Sequence, residues 1–182
     1  MQHFSKNHFP SLKIGDQSHY VYVTKRPGVD EFLVEMSKYY EIVIYTASRD
    51  KYANPLLDIL DEKNVIRKRL YREDCLFNDG TYVKDLSKLG RDLKETIIVD
   101  NAPHSYVFHQ ANAIDCSSFI DDNLDKELYQ IGAFLKEIRK VKDVRDHCHK
   151  WKDFPNPMMP KNSRSGTSRH NSQLTNDHLY TI

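Results

Sequence analysis

Two apolar runs in this sequence stop abruptly on polar residues: Ile42-Val43-Ile44-Tyr45 runs into Thr46 and Ser48, and Ile97-Ile98-Val99 runs into Asp100 and Asn101. Between them in sequence, Arg72 and Lys84 flank a stretch that reads as a hairpin. Hydroxyl, carboxylate, guanidinium and ammonium together describe a phosphate and Mg²⁺ site. A phosphoryl group carries negative oxygens towards carboxylates, and a fixed lysine plus a cation make that approach tolerable. Lys84 is the candidate clamp. Asp100 and Asn101 offer the hard oxygen ligands that Mg²⁺ takes one or two at a time, with water and phosphate completing its octahedron. Each group also has a plainer reading. Lys84 with Asp85 fits a solvated pair after a hairpin, Asp100-Asn101 an ordinary turn, and Arg72 a partner for Glu73 or Asp74.

The elements that must hold these groups follow from periodicity. His19 to Val23 alternates and ends at Pro27-Gly28, as a strand does. Val29, Phe32, Leu33, Met36 and Tyr40 recur at three- and four-residue steps, predicting a helix with Asp30 and Glu31 in its first turn. Ile42 to Tyr45 and Ile97 to Val99 are β-branched and aromatic without interruption, the composition of parallel strands covered on both faces. A helix is predicted over Lys51 to Glu62, with Pro55 tolerated in its first turn. Val65 to Tyr71 alternates, and Asn78-Asp79-Gly80 joins Cys75–Phe77 to Thr81–Val83 as a hairpin. Ala111 to Ile114 reads as a last short strand, and Leu124, Leu128, Ile131, Leu135 and Ile138 as a long helix. Strands and helices in alternation, with polar strand ends, predict an open parallel α/β sheet whose site lies at the carboxyl edge.

Size and composition bound the rest. The chain has 182 residues, enough for one domain with extensions, and its 29% charged residues cancel to a net +1. That balance argues against a general polyanion binder, so no direct nucleic-acid contact is expected. No apolar run approaches the ~18 residues of a membrane span, and the N-terminus lacks the apolar centre of a signal peptide. Three scattered cysteines, Cys75, Cys116 and Cys148, suit free thiols in a reducing, intracellular setting. His147-Cys148-His149 has no second ligand pair at zinc spacing. Residues 1–18 read as an N-terminal extension, 19–152 as the domain, and 153–182, rich in Pro, Ser, Asn and Arg, as a disordered tail.

Five segments carry a family resemblance: Val21 to Phe32 (VYVTKRPGVDEF), Ile44 to Ser48 (IYTAS), Leu70 to Cys75 (LYREDC), Tyr82 to Arg91 (YVKDLSKLGR) and Ile97 to Pro103 (IIVDNAP). In order and spacing they resemble the small phosphatases of the RNA polymerase II C-terminal domain, members of the haloacid dehalogenase superfamily. Dullard-type phosphatases and a mitochondrial translocase subunit share that domain. The resemblance implies an α/β fold of the haloacid dehalogenase type with a hairpin insertion, placed at Val65 to Val83. It implies a Mg²⁺-dependent protein Ser/Thr phosphatase acting on phosphoproteins through an aspartyl-phosphate. It makes Thr46 a phosphate-binding hydroxyl, Lys84 the stabilising cation, Asp100 and Asn101 the Mg²⁺ donors, and Arg72 a substrate contact. A nuclear or cytoplasmic setting is implied first, and a mitochondrial one is compatible.

One departure outweighs these agreements. The family opens on a strand ending in Asp-x-Asp-x-Thr, whose first aspartate attacks phosphorus and whose second is the general acid and base. These 182 residues contain no such motif, and Asp16, the only early aspartate, stands in a turn-like Ile14-Gly15-Asp16-Gln17. That strand is central in the superfamily, between those at Ile42 and Ile97. Strands lie about 4.8 Å apart, so without it its neighbours stand roughly 9.6 Å apart, beyond mutual hydrogen bonding. Either a segment such as Phe9 to Ile14 takes its place or the sequence is incomplete. The chain as given is expected to be inactive, and the alternative to truncation is a non-catalytic relative that binds phosphopeptides or proteins.

Overall fold

The computed structural model describes Leu12–Lys13, Tyr20–Val21 and residues 23 to 155. Most of the expected tail and of the N-terminal extension, Asp16 included, lies outside the described residues. The first two strands, β1 (Leu12–Lys13) and β2 (Tyr20–Val21), pair antiparallel with each other. Of the two alternatives for the central strand, a substitute from Phe9 to Ile14 has its described residues Leu12–Lys13 paired with β2, and the rest of that segment lies outside the described residues.

Helix α1 (Val29–Met36) starts at Gly28, whose φ of 80° is left-handed. A Cβ there would come within 2.6 Å of the Tyr129 ring, so both backbone and space demand glycine. Strand β3 (Ile42–Tyr45) follows, then α2 (Asp50–Leu60) and β4 (Ile66–Leu70), which pairs parallel with β3. Pro55 sits inside α2 rather than in its first turn, because the helix begins at Asp50. Its missing N–H leaves the Lys51 carbonyl without a helical donor, and Lys51 is exposed, where water can serve that carbonyl. The β4 pairing also shortens the expected insertion. Ile66–Leu70 belongs to the parallel pair, and only β5 (Leu76–Asn78) and β6 (Thr81–Val83) form the hairpin. Asp79 and Gly80 both take positive φ, 47° and 80°, as a tight two-residue turn matched to strand twist requires.

Strand β7 (Ile98–Asp100) pairs parallel with β8 (Ala113–Asp115), across a 3-10 segment at Pro103–Asn112. Helix α3 (Glu127–Ile138) packs on α1, with Gly132 against Phe32. Leu124, expected at its start, is left outside the helix and 82% exposed. The core joins α1, α2, α3 and Ile114, and closes on Trp151, whose indole N–H donates to the Asp115 carbonyl at 2.8 Å.

Among the described residues the two parallel pairs do not join into one sheet. A cleft of about 650 Å³ separates them, walled by Ile42–Tyr45 on one side and Ile97–Asp100 on the other and floored by Leu33, Met36, Leu128 and Leu135. All four residues of β3 are only half-buried, unlike the doubly covered strand their composition predicts. The gap explains the difference, since among the described residues β3 has a strand neighbour on one edge alone.

Candidate functional site

At the carboxyl ends of β3 and β7 a smaller cavity of about 110 Å³ is lined by Thr46, Lys84, Asp100 and Asn101 together with apolar residues of α2. Three separate chain segments supply these four groups. Thr46 follows β3, its amide donating to the Leu70 carbonyl at 2.9 Å, which fixes it on the sheet edge. Its hydroxyl accepts the Ser48 amide at 3.1 Å, so its own proton is left for an oxygen in the cavity. Ser48 itself is buried, with its backbone carbonyl taken by Arg72.

Lys84 follows the hairpin and is 9% exposed. Its amide donates to the Ser105 carbonyl at 2.6 Å and its ammonium to Asp100 Oδ2. It is no solvated partner of Asp85. That carboxylate points elsewhere, accepting from the Ser87 amide at 3.1 Å and meeting His109 Nε2 at 2.9 Å. The Ser87 and His109 contacts hold the Asp85 pKa below its ordinary value. Sequence patterns gave no sign of His109, which lies 24 residues away. Its role is to pin the turn that carries Lys84.

Asp100 is buried in a nearly full shell: besides Lys84, its Oδ1 accepts the Ala102 amide at 2.8 Å. Asn101 donates its amide to Ser118 Oγ at 2.8 Å. Its side-chain oxygen remains for another partner. These donors suit Mg²⁺ in kind but not in number. One carboxylate already paired to a lysine and one amide oxygen fall short of a cage, and no three His, Cys, Asp or Glu gather among the described residues.

Arg72 does not line this cavity. It sits at the rim, Nε donating to the Ala47 carbonyl at 2.6 Å and the guanidinium stacked on Tyr82 at 4.9 Å. No ion pair ties it to Glu73 or Asp74; Asp74 instead accepts from the Tyr71 amide. Cys116 lines the same cavity and Cys75 Sγ sits 3.9 Å from the Thr46 carbonyl oxygen. Burial pushes the Cys116 thiol up to about 12 and Cys148 up to about 11, so both stay protonated packing groups.

Comparison with known proteins decides the family. The sequence model of the NLI interacting factor-like phosphatases matches residues 1–145. The chain belongs to that family. The chain is 56% identical over 134 residues to a probable C-terminal domain small phosphatase of Dictyostelium discoideum, covering 74% of this chain and 44% of that protein. It is 50% identical over 133 residues to the human carboxy-terminal domain RNA polymerase II polypeptide A small phosphatase 2, covering 73% and 49%. The chain therefore spans about half the length of these relatives or less. Among solved structures, the fission yeast RNA polymerase II CTD phosphatase Fcp1 bound to beryllium fluoride matches with a TM-score of 0.50 at 19% identity, covering 80% of this chain and 43% of that one. At that identity the likeness shows the haloacid dehalogenase-like α/β fold. No helix among the described residues is long and apolar enough to cross a membrane.

Proposed function

We propose that this chain binds phosphate monoesters of phosphoproteins at the Thr46–Lys84 cavity and, in the 182-residue form, does not hydrolyse them. The supporting observation is the convergence of Thr46, Lys84, Asp100 and Asn101, from three segments, on one cavity at the sheet's carboxyl edge. The ammonium of Lys84 can make three hydrogen bonds and uses one on Asp100, so it can also bind a phosphate oxygen. The Thr46 proton supplies a second donor, and Arg72, held flat on Tyr82, meets the rest of the substrate at the rim. Asp100, through its hydrogen bond to the ammonium, holds the lysine aimed at the cavity. Among the described residues of this cavity, Asp100 and Asn101 are the groups that could offer oxygens to Mg²⁺.

Hydrolysis in the family needs an attacking carboxylate and a general acid. Neither Asp-x-Asp-x-Thr aspartate is present, and the cavity's one carboxylate is bound to Lys84. The relatives' names support a phosphorylated polypeptide such as the polymerase C-terminal domain as ligand class, and a nuclear or cytoplasmic working place. An aryl phosphate assay with Mg²⁺ tests the reading. Turnover should stay at background, while a phosphoserine peptide should bind and lose at least tenfold in affinity with Lys84→Ala, the order expected for one charge-assisted bond. Robust turnover abolished by Lys84→Ala would overturn it.

A further inference from the structure

The hairpin that delivers Lys84 has an aromatic face that phosphate binding does not use. In the β5–β6 ladder Phe77 stands opposite Tyr82, and Leu76 opposite Val83. Strand alternation therefore puts Phe77 and Tyr82 on one face and Leu76 and Val83 on the other. The Val83 face is buried, where β6 packs on the 3-10 segment at Pro103–Asn112. Continued one residue past each strand, the same alternation sets Cys75 and Lys84 on the aromatic face, at its cavity end. Their contacts agree: Cys75 Sγ reaches the Thr46 carbonyl, and Lys84 lines the cavity with Thr46. The face thus runs outward from Lys84 to Tyr82 and across to Phe77.

Its outer end is apolar and open. The Phe77 and Tyr82 ring centroids are 5.2 Å apart and the rings are tilted by 57°. Arg72 covers Tyr82 and is itself tied to the cavity rim through the Ala47 carbonyl. Phe77 remains 62% exposed, more than any other aromatic side chain among the described residues. A tilted pair of this kind leaves a free ring face, which a third ring completes by offset or edge-to-face contact. Lys84 and Tyr82 are two residues apart, which along an extended chain is about 6.7 Å on the same side. An extended ligand has the same repeat. With its phosphoryl group on Lys84, the side chain two residues away lies over the Tyr82–Phe77 pair, and the intervening one points away.

We infer that the Phe77–Tyr82 pair is a specificity subsite for the phosphopeptide, which takes an aromatic side chain two residues from the phosphorylated one. The subsite depends on phosphate binding at Lys84 and so rests on the function proposed above.

Calorimetry on the full chain with three synthetic peptides tests it. Each has a central phosphoserine among alanines; one carries Phe two residues away on both sides, one carries Phe directly on both sides, and one carries none. The first should bind about fivefold more tightly than the third, the worth of one aromatic contact, and the second should show no such gain. Phe77→Ala should bring the first and third peptides to equal affinity, while Phe77→Trp keeps them apart. Cross-strand packing of Phe77 in the hairpin affects both peptides alike and cancels in their ratio. No gain for the first peptide, an equal gain for the second, or a gain that survives Phe77→Ala overturns the subsite. Lys84→Met separates the two levels. If it weakens all three peptides and no aromatic gain is seen, the subsite alone fails; if no peptide binds, or Lys84→Met changes nothing, the proposed function fails and the subsite with it.

Discussion

Among the described residues two cations are buried, and they are held in opposite ways. Arg26 is clamped on every side. Its Nε donates to Asp125 at 3.0 Å, Nη1 to the Ser117 carbonyl at 2.8 Å, and Nη2 to Ser117 Oγ, Asp125 and Glu127 at 2.7 to 2.8 Å. Burial works against its charge, but the Asp125 hydrogen bond and the Asp125 and Glu127 charges outweigh that and raise its pKa. Lys84 is buried to a similar degree, yet its ammonium has one side-chain partner, Asp100, and faces a cavity. The saturated cation ties the loop before α1 to the start of α3. The unsaturated one keeps bonding capacity in reserve, as a binding group must.

Substitutions can break that contrast. Arg26→Ala should be the most damaging, because it leaves Asp125 and Glu127 half-buried without their counter-charge; about 3–4 kcal/mol is expected, read as a fall in urea midpoint. Arg26→Lys should recover only part of this, since an ammonium cannot reproduce the planar fork that meets three residues at once. Phosphopeptide binding should survive it. Lys84→Met should cost about 2 kcal/mol, the value of a charged hydrogen bond left unmade, and should abolish the rise in Tm that saturating inorganic phosphate gives the parent chain. Adding Asp100→Leu to it should restore stability but not phosphate protection, because a buried pair can be replaced by apolar groups at little cost. If the double variant still responds to phosphate, Lys84 is not the binding group.

The smallest effect belongs to an exposed pair that serves as baseline. Lys136 and Lys38, by hydrogen bonds to Glu35, lower its pKa to about 2. A carboxylate whose folded pKa is depressed contributes stability above its unfolded pKa, and that contribution disappears as pH falls through the folded value. The difference in Tm between the parent and Glu35→Gln should therefore be small at neutral pH, shrink in high salt, and close between about pH 4.5 and 2. A larger effect than at Lys84 would invert the ranking of exposed and buried charges.

How much was legible beforehand differs by element. Strand β3 fell on the predicted residues, and the Asn78–Gly80 turn made its hairpin, because uninterrupted β-branched runs and positive-φ turn residues have few other conformations. Helix bounds were less readable. α1 stops at Met36 although its apolar period continues to Tyr40, whose hydroxyl instead donates to the Leu135 carbonyl across the α1–α3 contact. Lys84, Asp100, Thr46 and Asn101 were all named from strand ends and motif spacing. Arg26 and His109 were not, since their partners lie 99 and 24 residues away and no local pattern reports so distant a pairing.

By itself, then, the sequence determined the family, the alternation of strands and helices, and the absence of an Asp-x-Asp-x-Thr motif from these 182 residues. Those are properties of composition, period and motif order, which the chain carries whatever its neighbours do. Only the tertiary structure decided which strands are partners. Ile66–Leu70 went to the parallel pair and not the insertion, Leu12–Lys13 went to β2 and not the centre, and β3 and β7 were left facing each other across a cleft. The physical reason is that a strand's hydrogen bonds are made to another strand, so its place in a sheet is a property of the pair and not of either sequence alone.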